Sequence, residues 1–156
     1  MMHLAVSHDT ATPRAPWARS GAAADMHPIT DPAERALLER LRTASVSVQL
    51  APRVEPFKFC ALIEAAPDRE ADAYLDALLR VAPGALGRPL LIRRQGAAGP
   101  SFDEAWLLAL ISAARRGDTA SLRFAVASRT RSDTDGRALS RSLGFIATGL
   151  AGRLHT

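Results

Sequence analysis

The chain has 156 residues, 47% of them hydrophobic but only 5% aromatic, and a formal net charge of +4. At this length one compact domain is expected, large enough to hold a core without metal or disulfides, and the single cysteine, Cys60, excludes an internal disulfide framework. The longest apolar runs fall well short of the ~20 residues that span a bilayer, and the opening stretch Met1 to Val6 is too short and too polar at His3 for a signal peptide. A cytoplasmic protein is the expectation.

Alanine and leucine dominate the apolar set, a composition that favours helices over sheets. Residues 1–28, rich in Ala, Pro, Ser, Thr and Arg without apolar periodicity, read as a disordered tail, and 29–156 as a single helical domain. Within the tail Trp17 is a candidate docking anchor, with incidental packing as the competing reading.

Asp31-Pro32-Ala33-Glu34 is a helix start: a capping side chain, a proline suited to the first helical position, and a Glu that completes a capping box. Leu37, Leu38 and Leu41 form the apolar stripe, and Arg40 and Arg42 suit the helix end. The alternation of Val46, Val48 and Leu50 predicts a short strand over 45–50. Residues 57–66 fit a helix opened by Glu55-Pro56 better than a strand. The next helix runs from Arg69 to Ala82, with Ala71, Leu75, Leu78 and Ala82 on one face, and Pro83-Gly84 is expected to end it. Leu90, Leu91 and Ile92 suggest a second strand, so 45–50 and 89–94 together form a candidate two-stranded β element.

Gly96 to Pro100 is a loop. Ser101 to Glu104 is a second capping box, opening a helix whose 105–111 segment is apolar nearly all round and should be the most buried element. Arg115, Arg116 and Gly117 suit its end. Asp118 caps a further helix, although Leu122, Phe124 and Val126 also alternate. Residues 130–136 read as a polar turn, and a last helix from Arg137 to about Ala151 carries Leu139, Leu143, Ile146 and Leu150. The fold expected is mainly α, about six helices, with Leu75, Leu78, Leu122, Val126, Leu143 and Ile146 packed around 105–111.

The histidines are His3, His8, His27 and His155, all near the chain ends, so the folded stretch lacks the commonest general base and metal ligand. Cys60, in an apolar setting without a histidine, reads as a buried structural thiol rather than a nucleophile. Asp133-Thr134-Asp135-Gly136 is like the start of a calcium loop but lacks the bidentate Glu at its far end. Gly96 to Gly99 precedes a helix N-terminus without either of the Gly-rich phosphate signatures. The acidic run Asp68, Glu70, Asp72 and Asp76 reads as a solvated helix face. No catalytic residue, metal site or cofactor is expected.

The basic residues carry the functional expectation. Lys58 is the lone lysine among 20 basic residues; the arginine bias is also what a GC-rich coding sequence gives. From Ser101 to Thr156, eight arginines face five acids, +3 of the total +4. Arg115, Arg116, Arg123, Arg129, Arg131, Arg137 and Arg141 are the candidate contacts for an acidic partner, protein first and nucleic acid as the alternative. Helix, glycine turn and helix here also fit the outline of a helix-turn-helix, with Thr119, Ser121, Arg123 and Ser128 toward a DNA groove, against which stands the apolar character of the first helix. The last helix offers two lesser options: a membrane surface, and a homo-oligomer through Gly144 and Thr148 at small-xxx-small spacing. The primary expectation is a non-enzymatic interaction or regulatory protein acting through a helical surface.

Overall fold

The computed structural model describes residues 29–66 and 68–154. The tail with Trp17, and all four histidines, lie outside them. Among the described residues there are six helices and no strand: α1 (Pro32–Leu50), α2 (Pro56–Ala65), α3 (Ala71–Leu86), α4 (Phe102–Arg115), α5 (Thr119–Ala127) and α6 (Thr134–Arg153). The fold is mainly α. The two-stranded β element expected from 45–50 and 89–94 does not form.

The first half of that element is the end of α1. Its buried positions are Leu37, Leu38, Leu41, Arg42 and Ser45, a helical spacing that runs straight through the stretch expected to alternate. Val46 and Leu50, which a strand would have buried together, are exposed instead. The second half keeps the alternation without a partner strand. Leu90 and Ile92 pack against the core while Leu91 faces out, and the backbone finds its hydrogen bonds on two carboxylates: Leu91 N–H donates to Asp103 (2.7 Å) and Arg93 N–H to Glu104 (2.9 Å).

α3 also overruns its expected end. Pro83 lies inside the helix, where it forfeits one backbone hydrogen bond. The helix survives for one more turn because that turn is closed firmly. Gly87 takes the left-handed conformation (φ 74°), and the N–H groups of Gly87 and Arg88 both donate to the Pro83 carbonyl. α6 begins earlier than expected: the Asp133 side chain accepts from Gly136 N–H (2.7 Å), so the would-be polar turn supplies an N-cap and the first helical turn.

The N-caps act as read, but Glu34 forms no capping box with Asp31, and Arg40 and Arg42 lie in the middle of α1, which runs on to Leu50, rather than at its end. Asp31 caps α1 and Asp118 caps α5 through side-chain acceptance. Glu55 caps α2 in the same way, accepting from Phe57 and Lys58 N–H. Ser101 and Glu104 form a reciprocal capping box on α4. α3 and α6 make the largest helix–helix interface; α4 packs on α6 and α1, α5 on α4 and α6, and α2 on α3 and α6. Leu75, Leu78, Leu107, Leu110, Ile111, Leu143 and Ile146 are essentially inaccessible, and Leu122 and Val126 anchor α5 to them. At α6 Gly149 the ring of Tyr74 lies so close that a β-carbon there would sit 2.8 Å from Cδ1 and from Cζ. The absent side chain lets α3 and α6 approach.

Candidate functional site: a basic groove between α5 and α6

The arginines fall into two populations. The first is absorbed by the N-terminus of α4. Arg42, on the apolar face of α1, is 1% exposed and grips Glu104, itself 0% exposed, through Nε (2.8 Å) and Nη2 (3.1 Å). Its remaining donors reach Glu39 and the carbonyls of Ala97 and Gly99. Glu104 also accepts from the N–H of Ser101 and Arg93. Beside it, Asp103 accepts from Arg88, Arg129 and Leu91 N–H. The Arg88 guanidinium, against the opposing effect of burial, holds the Asp103 carboxyl far below the usual range, with Leu91 N–H and Arg129 helping. For Glu104 burial is the strongest influence and pushes upward, yet Arg42 and two backbone N–H groups together keep its pKa below the ordinary value.

Arg129, a candidate contact from the sequence, therefore belongs to the fold. Besides Asp103 it covers the rings of Phe102 (4.4 Å) and Trp106 (5.1 Å). Its Nη1 is buried without a hydrogen-bond partner, and the π faces supply part of what is missing. Arg115 and Arg116 sit at the far end of α4, exposed, with Arg116 donating to Ser112 Oγ.

The second population converges. Arg123, Arg131, Arg137 and Arg141 line one groove of about 990 Å³ between α5 and α6, together with Leu122, Val126, Ala127, Gly144 and Phe145. The floor is apolar; Thr119, Thr130, Ser132, Thr134, Ser140 and Thr148 add hydroxyls, and among the described residues no carboxylate lines it. Arg131 reaches Asp133 (3.3 Å). Arg123, Arg137 and Arg141 are exposed, and their guanidinium groups make no hydrogen bond or ion pair with the described residues. The groove's end wall is fixed: Arg131 N–H donates to the Ala85 carbonyl (2.8 Å), and Ser140 Oγ lies 2.7 Å from Thr130 Oγ1.

Of the helix-turn-helix residues, Thr119 and Arg123 line this groove, while Ser128 donates its hydroxyl to Ala125. α4, the helix that would have to cross a DNA backbone, has its apolar face sunk in the core. Cys60 is buried, and burial pushes its thiol up. Among the described residues no helix is long and apolar enough to cross a membrane.

The arginines of the groove were visible as a cluster in the sequence, but its floor was not. Phe145, 43% exposed beside fully buried Ile146, falls outside the sequence reading, and Gly144, with open space around it, enters that reading only as a homo-oligomer contact with Thr148. Compared with known proteins, the chain matches no family model, no curated protein and no solved structure.

Proposed function

We propose that this is a non-enzymatic interaction protein of a regulatory kind, which binds an acidic protein partner through the α5–α6 groove. One observation carries the reading: among the described residues, three exposed, unpaired arginines and a fourth shared with Asp133 rim a groove with an apolar floor and no acid in its lining. An apolar centre inside a polar, charged rim is the anatomy of a protein interface. Arginine serves there through its stem as much as its charge. The phosphate backbone of a nucleic acid would use the rim and leave the exposed ring of Phe145 without a role. A second copy of the chain would set this rim near an identical rim, which electrostatics opposes.

The test compares fluorescently labelled acidic peptides containing leucine with a DNA duplex of equal charge, each titrated at about 50 and 200 mM salt. The reading expects the peptides to bind and to keep most of their affinity at the higher salt, because burial of apolar surface is not screened. DNA should bind weakly and lose affinity steeply, as phosphate contacts do. The Arg137→Glu/Arg141→Glu double variant should weaken peptide binding at least tenfold. Absence of peptide binding at low salt, or DNA binding more tightly than any peptide, overturns the reading.

A further inference from the structure

Resting on that reading, we infer that the groove's occupant is an acidic amphipathic helix of about three turns. The groove is built from two helical stripes. On α6, Arg137, Arg141, Phe145 and Thr148 follow one another at spacings of three and four, which places them along a single face. The eleven steps from Arg137 to Thr148 cover about 17 Å at the helical rise. On α5, Leu122 and Val126 stand four apart on the facing wall. A trough between two helical walls takes a third helix, laid with its apolar stripe on the floor. Its flanks would then face Arg123 on one rim and Arg137 and Arg141 on the other.

Gly144 is the independent observation. A glycine inside a helix is unfavourable, and a helix usually keeps one where something approaches the backbone closely. Gly149, five residues on, meets the Tyr74 ring. Among the described residues Gly144 meets nothing: a β-carbon there would find no atom within 4 Å. It lies in the middle of the groove wall, so the close approach it permits is from outside the described fold. A helix crossing at Gly144 comes nearer to the α6 backbone than it would to any larger residue. The charge of the rim makes that helix acidic, and it disfavours α6 of a second copy, which carries the same arginines.

Three 14-residue peptides test this on the intact protein. The first carries leucine at positions 4, 7, 8 and 11 and otherwise mainly glutamate. The second has the same composition with the leucines alternating, so that no helical face forms. The third has glutamine in place of the leucines. Anisotropy and far-UV circular dichroism are read on wild type and on Gly144→Leu, whose β-carbon meets open space and whose side chain adds bulk to the groove wall. The expected result is at least tenfold tighter binding of the first peptide than of the second, helix gained on binding, and at least tenfold loss with Gly144→Leu at undiminished melting temperature. Equal binding of the first two peptides, binding without helix gain, or indifference to Gly144→Leu overturns the helical occupant while the acidic-partner reading stands. Binding of none of the three overturns both. Self-association of the protein that Gly144→Leu abolishes would make the occupant a second copy and also defeats the inference.

Discussion

The N-terminus of α4 and the groove between α5 and α6 use the same side chain for opposite ends. At α4, Arg42, Arg88 and Arg129 are matched by Glu104 and Asp103, and these carboxylates in turn hold the irregular 88–100 segment by its backbone N–H groups. In the groove Arg123, Arg137 and Arg141 have no such partners, and solvent carries their charge. A buried guanidinium without an acceptor would be intolerable, whereas an exposed one costs the fold nothing and is available to something else. Pairing and burial, rather than residue type, therefore separate the arginines that build this molecule from those that present a surface.

The largest expected effect comes from breaking the first region. Glu104→Ala leaves the Arg42 guanidinium buried with only Glu39 and two carbonyls, and should destabilise the protein by about 3–5 kcal/mol in urea titrations followed by circular dichroism. Replacing both partners, Arg42→Met with Glu104→Leu, should recover only part of this. The buried N–H of Ser101 would still have lost its acceptor, and such an orphan costs about 1–3 kcal/mol.

Acid should act on the same place next. Asp103 and Glu104 both have their pKa lowered by folding, so the unfolded chain binds protons first as pH falls. Their contribution is complete above about pH 5. It is lost progressively as pH drops through the ordinary carboxylate values near 4 toward the lower folded ones. Each unit of separation is worth about 1.4 kcal/mol. Melting temperature against pH should fall steeply below about pH 4, and Asp103→Asn should flatten that fall while lowering the plateau. A plateau unchanged to pH 2 would remove this region's claim to be held by charge.

How much of this the sequence revealed follows the range of the interactions. Caps are local, so Asp31, Ser101-Glu104 and Asp118 announced themselves, and the 105–111 segment announced the centre of the core. Arg42 did not. Its position on the Leu38–Leu41–Ser45 face was the signal, a charge on an apolar stripe, but its partner lies 62 residues away. The strand expected at 45–50 failed for a related reason: alternation over three residues is too short to outweigh an apolar face already established by Leu37, Leu38 and Leu41. The second strand, at 89–94, was half right. Its side chains alternate, but its backbone partners are side-chain carboxylates, which no strand pattern encodes. The groove was legible as an excess of arginine and no further, since its floor exists only once α5 is laid against α6.

The glycines of α6 sharpen the comparison at intermediate cost. Gly149→Ala forces a methyl group into Tyr74 and should destabilise by about 1–3 kcal/mol. Gly144→Ala meets open space and removes an unfavourable helix-interior glycine, so it should stabilise by up to about 1 kcal/mol. Thermal melts of the two variants should move in opposite directions. A fall for both would mean that Gly144 is already engaged within the fold and is not part of a free wall.

The smallest effects should lie in the groove itself, and their smallness is informative. Arg137→Gln and Arg141→Gln each remove an exposed charge that engages no described residue, so stability should stay within about 0.5 kcal/mol of wild type. Arg129→Gln, by contrast, strips Asp103 of one buried partner and uncovers Phe102 and Trp106, and should be plainly destabilising in the same titration. If the two groove variants lost as much as Arg129→Gln, these arginines would be structural and the division between the regions would vanish. If they are silent in stability while weakening peptide binding, the fold has no use for them, and their concentration over an apolar floor is a property directed outward.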